Sequence, residues 1–397
     1  MTASVTPVPA TKVDLGLYAD IQRFGAADVS ACFSCGTCTA TCPLSDDGNE
    51  FPRRMIRFAQ VGMKEALLSS KELWTCYACG ECSESCPMTA EPSEFMAATR
   101  RYAIASYDRT GLARAMYSST VMGVGIALVL AAFFAAFMYT AHGPQDPSTL
   151  ALFTWIPNEL IHNMGLIVMA VVVLAGLAGI WTMARRVARV EGVTWGSLLG
   201  SRAALGRSWR ALWSAIGLES LGQVRYRADC DAEKESELPW YRRRWLIHAL
   251  TVWGFLGLLA ATIADYGLEL IGWKATGVAV PIWYPVRLLG TVAGMALIYG
   301  TSMLIVDRLT KAHRSVRVSA PADWTLLILL WITGVTGFGI ELALYLPDAP
   351  AWGYWIFLFH VAVAMELVLL APFMKLAHAV YRPVALFFLA LRREPVS

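Results

Sequence analysis

The chain has 397 residues, 56 % of them hydrophobic and only 16 % charged, with a mean hydropathy of +0.50 and a net charge of +3. That length leaves room for two or more units. So apolar a balance excludes an ordinary soluble protein, and so small a net charge gives no footing for a nucleic-acid partner.

The N-terminal stretch MTASVTPVPATKVD lacks the basic segment and apolar core of a secretory signal. The soluble beginning of the chain is therefore expected to stay where it is made, as a flexible tail over 1–19 and a folded unit over 20–112. Eight of the nine cysteines fall in two tight clusters, and none lies in an apolar run. In a reducing compartment that pattern favours metal over disulfides.

The first cluster is Cys32, Cys35, Cys38 and Cys42 followed by Pro43; the second is Cys76, Cys79, Cys82 and Cys86 followed by Pro87. CFSCGTCTATCPL and CYACGECSESCPM are thus an internal repeat of C-x2-C-x2-C-x3-C-P. Three closely spaced thiolates can bind three irons of a cubane, and the fourth, redirected by its proline, typically ligates the other cluster. The spacing assigns one 4Fe-4S cluster to Cys32, Cys35, Cys38 and Cys86, and a second to Cys76, Cys79, Cys82 and Cys42. A zinc site would use pairs of ligands separated by a longer loop. The segment Phe51 to Ser69 and the stretch from Pro92 to Ser106 carry helical periodicity, so the clusters are expected between helices, in an all-α ferredoxin domain. Lone Cys230 reads as a plain surface thiol.

Six apolar spans follow in the unit 113–397, at about Ser118–Ala141, Leu160–Met183, Leu246–Asp265, Val286–Val306, Trp324–Leu346 and Trp355–Leu376. Each is long enough to cross roughly 30 Å of hydrocarbon, which predicts a six-helix transmembrane bundle in the membrane lipid. The link 184–245 carries eleven arginines and one lysine, and the link 307–323 carries Arg308, Lys311, Arg314 and Arg317. The opposite links hold Lys274 alone. The excess of positive charge predicts both termini and the cysteine unit on the cytoplasmic side. Trp155, Trp273, Trp283 and Trp352 mark the outer interface, and SRAALGRSWRALWSAIGL in the long link reads as an amphipathic helix on the inner surface.

Four of six histidines lie in or at the ends of spans, where polar groups are costly and point to function. His360 and His378 are 18 residues apart, five helical turns, so one helix would carry both on one face about 27 Å apart, an approximate alignment because Pro372 between them is a point for a kink. By depth, His248 pairs with His378 inside and His162 with His360 outside, giving two bis-histidine haems. His142 is the rival of His162, and His313 reads as a solvated residue. With no C-x-x-C-H motif the haems are non-covalent, b-type. Glu366 and Glu341 are candidate proton acceptors, with a paired or neutral carboxyl as the plainer reading, and Arg287 is expected to snorkel to headgroups.

PRRMIRFAQVG and LLSSKELWTCYACGECSESCP resemble the C subunit of heterodisulfide reductase, which carries two such motifs in a helical ferredoxin fold. The six spans, with His360 and His378 far apart near the end, resemble the membrane cytochrome b of the same systems, related to the gamma subunit of respiratory nitrate reductase. That family draws its other two ligands from one helix, whereas span 3 here holds only His248. The fusion of both modules is similar to the QmoC family, membrane subunits of the quinone-interacting membrane-bound oxidoreductase (Qmo) complex of sulfate respiration. The resemblance implies electron transfer between menaquinol and soluble flavin-containing subunits, with adenylylsulfate reductase beyond them. A sibling complex, linked to heterodisulfide or sulfite reduction, would use the same redox wire. GVGIAL at 123 and GFGIEL at 337 lie inside apolar spans, so any flavin belongs to a partner.

Overall fold

The computed structural model describes residues 12–45, 50–229, 238–275, 280–312, 316, 319–346 and 350–393. Cys230 and His313 lie outside the described residues. Every element among them is helical, as expected.

The soluble part is built from short helices: α1 (Leu17–Arg23), α2 (Thr37–Ala40), α3 (Arg53–Gln60), α4 (Lys64–Leu68), α5 (Glu72–Thr75), α6 (Glu81–Glu84), α7 (Pro92–Tyr107) and α8 (Leu112–Ser118). The segment expected as one helix over 51–69 is two, because Gly62 takes a left-handed turn (φ 74°) between α3 and α4. Its Cβ position lies within 3 Å of the Val13 and Asp14 chain, so only glycine fits there. The longest of these helices, α7, is buried nearly all round, through Phe95, Met96, Ala98, Tyr102 and Ile104. It forms the axis on which α1, α3 and α5 pack.

The spans are α9 (Thr120–Tyr139), α11 (Asn158–Glu191), α15 (Arg244–Leu270), α16 (Pro285–Leu309), α17 (Pro321–Tyr345) and α18 (Ala351–Leu370). Between the first two lies the turn α10 (Leu152–Trp155); between the second and third lie α12 (Trp195–Leu199), α13 (Arg202–Trp213) and α14 (Val224–Asp229). The six spans are long and apolar enough to cross a membrane, and Leu128, Ile167, Leu174, Ile263 and Val292 expose large side chains on their outer faces. In lipid such exposure costs nothing, while the helical backbone satisfies its own hydrogen bonds. Spans α15 and α16 approach most closely at small residues: a Cβ on Gly254 would lie 2.6 Å from the Leu297 nitrogen.

The last helix corrects one expectation. His360 and His378 do not share a helix: α18 ends at Leu370, a 3-10 turn covers Ala371–Phe373, Met374 is extended (φ −111°, ψ −169°), and α19 (His378–Arg393) starts anew at the histidine itself. Pro372 lacks a backbone N–H and its ring clashes with the preceding turn, so it ends the helix there. The 27 Å one-face alignment does not apply.

The cysteine unit sits on one end of the bundle and shares a single apolar core with it, running from Leu17, Trp74 and Tyr102 through Met183 and Val187 to Leu326, Leu367 and Tyr381. Polar ties reinforce the junction. Lys71, only 2 % exposed, pairs with Glu72 at 3.4 Å and with Glu191 at the end of α11. Arg101 of α7 reaches Asp323 at 3.6 Å, and Asp323 also takes Lys375 at 3.0 Å. The arginine-rich links therefore lie at the end that carries the cysteines. The opposite end is closed by a cage of Trp155, Tyr354 and Trp355, with centroids 5.2 and 5.6 Å apart.

Candidate redox centres

Each cysteine motif folds the same way. The third residue (Ser34, Ala78) and the glycine after the second cysteine (Gly36, Gly80) are left-handed, with φ of 61°, 57°, 90° and 95°. The glycine then starts the short helix α2 or α6. Such alternation points successive amide N–H groups into a concavity suited to an anion, as at many iron–sulfur sites. One cavity is lined by Cys32, Cys35, Cys38 and Cys86, the other by Cys42, Cys76, Cys79 and Cys82. Three sulfurs thus come from one motif and the fourth from its repeat, the grouping read from the spacing. Among the described residues no three ligands close around a single ion. A zinc would draw its sulfurs to about 2.3 Å, whereas a cubane keeps its corners, and hence its donors, further apart.

Burial pushes the Cys42 thiol up to about 12, with Cys76 and Cys79 adding to the rise, and Cys38 and Cys82 are raised by the same causes. Cations set among these buried sulfurs would offset that cost, so the donor set fits a metal cluster. Two guanidiniums serve the second cavity: Arg100 donates to the Cys76 carbonyl at 3.2 Å and lies 3.9 Å from its sulfur, and Arg382 donates to the carbonyls of Trp74, Thr75 and Cys76 at 3.1, 3.1 and 3.3 Å.

From Cys76 a series of rings enters the bundle. Tyr77 lies 6.0 Å from Tyr226, Tyr226 lies 5.5 Å from His248, and His248 lies 6.5 Å from His378. Two imidazoles sharing one iron, each nitrogen about 2 Å from it, place their centroids about 6 Å apart. The pair has that spacing. His248 donates its Nδ1–H to Gln223 Oε1 at 3.0 Å, and His378 donates its own to the Lys375 carbonyl at 2.6 Å. Both Nε2 lone pairs are left for a metal, the arrangement that ligating histidines show. These residues fit a bis-histidine haem.

The outer pair is not assembled in the same way. His162 stacks on Tyr266 of α15 at 4.2 Å and bonds the Asn158 carbonyl at 3.0 Å; His360 bonds Thr336 of α17 at 2.9 Å. No ring or hydrogen-bond contact joins them. Because α18 begins at Ala351, His360 lies two and a half turns into its helix, against one turn for His162 in α11. His142 folds back on Tyr139, stacked at 4.2 Å. Glu366 is 1 % exposed with Oε1 unpartnered, whereas Glu341 faces Arg287 at 3.5 Å. Arg287, expected at headgroups, instead holds that carboxylate and covers the Tyr345 ring at 5.0 Å. Gln223, Tyr226, Tyr77, Arg100 and Arg382 were not singled out from sequence. Two had a signal: Tyr77 follows Cys76 directly, and Arg382 is one helical turn from His378.

No solved structure matches the chain. Residues 28–90 match the 4Fe-4S dicluster domain family. Over 62 residues the chain is 36 % identical to the C subunit of the H(2):CoB-CoM heterodisulfide,ferredoxin reductase of Methanothermobacter thermautotrophicus and to that of Methanothermobacter marburgensis, covering 16 % of this chain and 34 % of those. Over 165 residues it is 30 % identical to citrate utilization protein B of Escherichia coli, 41 % of each chain. The chain thus spans well under half the length of the curated relatives it matches. The iron–sulfur domain and the six spans make it a multi-pass iron–sulfur electron-transfer protein. The citrate utilization protein B family matches residues 193–396, more than half of the chain, and the chain belongs to that family.

Proposed function

We propose that this chain is the membrane subunit of a quinone-linked oxidoreductase, passing electrons between menaquinol and soluble flavin-containing subunits. The observation that carries the reading is the series Cys76, Tyr77, Tyr226, His248, His378, which joins the second cysteine cavity to a histidine pair at the membrane end. When bound, haem b between the histidines and 4Fe-4S clusters in the two cavities would supply one-electron exchange. The chain's residues do the rest. His248 and His378 present Nε2, Tyr77 and Tyr226 fill the gap with packed rings, and Arg100 and Arg382 balance the negative charge near Cys76. Cys35 and the exposed Phe33 and Met88 rim the first cavity, where a soluble partner would collect electrons. Glu366 is the candidate acceptor of a quinol proton, since its Oε1 has no partner. His162 and His360, which share one end of the bundle, are proposed as ligands of a second haem.

The arginine-rich links at the cysteine end support a cytoplasmic placement of that end and of both termini, in the inner membrane. The resemblance to QmoC supports sulfate respiration, with adenylylsulfate reductase as the distant partner. The family match over 193–396 favours a second reading for the partner alone: an oxidoreductase of citrate utilization, served by the same wire. Co-purification from the native membrane decides between these partners.

The wire itself is tested by ligand substitution in the full chain. His248→Ala and His378→Ala should each abolish the same b-type spectral component while both cluster signals persist. Retention of all haem absorbance in both variants would contradict the assignment.

A further inference from the structure

Gln223 stands where the chain is strained. It links the π-helix Ser214–Leu221 to α14, is 4 % exposed, and takes φ 52°, a left-handed backbone that side-chain-bearing residues seldom adopt. Both sides of the turn are fastened. Trp253 of α15 donates its indole N–H to the Leu221 carbonyl at 3.2 Å, and Tyr226 packs between Tyr77 and the His248 ring. The outcome is one contact: Gln223 Oε1 receives the Nδ1–H of His248 at 3.0 Å, while Nε2 of the same amide has no partner in the protein.

The other three candidate haem histidines do not depend on such a device. His162 and His378 bond carbonyls of their own chain segment, and His360 bonds a threonine of the adjacent span. Only His248 is steered by a side chain from outside the spans, one placed by a strained turn and presenting its amide oxygen to the ring. Strain persists where the surroundings over-determine it and serves function at such sites. A merely space-filling glutamine would not need a left-handed backbone.

We infer that Gln223 is the positioning residue of the inner histidine pair, fixing His248 in the Nδ1–H tautomer with Nε2 toward His378 and thereby tuning the reduction potential of iron held between the two rings. The inference rests on the haem reading above. An acceptor on Nδ1–H raises the basicity of the ligating nitrogen, which favours the oxidised iron. A carboxylate accepts more strongly than an amide, and an apolar side chain does not accept at all.

The test uses the full-length chain purified in detergent, with optical redox titration of the haems and electron paramagnetic resonance of both clusters. Gln223→Glu should lower the midpoint of one haem and Gln223→Leu should raise it, with the other haem and both clusters unmoved. Unshifted midpoints in both variants, or shifts of the same sign, overturn the inference. Loss of haem from the Leu variant supports it only when the Glu variant retains haem; loss from both means a purely structural role and overturns it. Wild-type protein without haem would instead remove the functional reading and this inference together, an outcome distinct from unmoved potentials.

Discussion

Cys86 lies in the cavity of the other motif, beside Cys32, Cys35 and Cys38. Cys86→Ser is therefore expected to deplete the cluster of the first motif and about half of the iron. The surviving cluster should be the one beside Arg100. Arg100→Gln removes a positive charge and a hydrogen bond near Cys76, which should lower that cluster's midpoint potential. In the double variant the remaining signal should still show this lowering; a signal indifferent to Arg100 would mean that the motifs do not exchange ligands. Cysteines and span histidines were legible in the sequence because few other reasons put them there at those spacings. Gln223 and Tyr226 were not, since they are common residues given their place by one left-handed turn and by contacts 25 and 22 positions away in the chain, at His248.

Periodicity located the elements well but could not see where a helix stops and restarts in place. All six spans coincide with the expected runs to within a few residues at most ends, and α7 was read nearly in full. The break at 371–377 was signalled only as a kink at Pro372, since apart from Lys375 its residues are as apolar as the helix they interrupt. The link expected on the inner surface also goes deeper: Leu221 bonds Trp253, nine residues, or about 13 Å, into α15. Close packing of α15 on α16 holds His248 in register. A Cβ on Gly300 would lie 2.9 Å from the Ile247 carbonyl and 2.9 Å from the Thr251 nitrogen, one residue before and three after the histidine. Gly300→Ala should thus destabilise the bundle by about 1–3 kcal/mol through overpacking, read as a lowered thermal midpoint in detergent. Gly267→Ala, with nothing within 4 Å, should not.

At the scale of the whole molecule, the composition announced two modules but not that they fuse into one core. The apolar cluster continues from the cysteine unit into the spans, and Lys71 is buried at the seam between Glu72 and Glu191. Removing one member of a buried charged set leaves the others uncompensated, typically at a cost of about 3–5 kcal/mol. Lys71→Ala should make the cysteine unit markedly more sensitive to protease, with cleavage concentrated before α9. Unchanged protection would mean that the seam depends on apolar contact alone. Joining the modules through a shared core fixes the distance from Cys76 to His248, which a flexible linker could not do. That fixed distance is what a redox wire requires.

The most direct test of the wire is an anaerobic optical spectrum of the purified chain, with haem quantified, before and after a menaquinol analogue is added. The account predicts b-type bands that appear with quinol alone, followed by reduction of the cluster nearest Cys76. Absence of haem, or haem that only dithionite reduces, would contradict it.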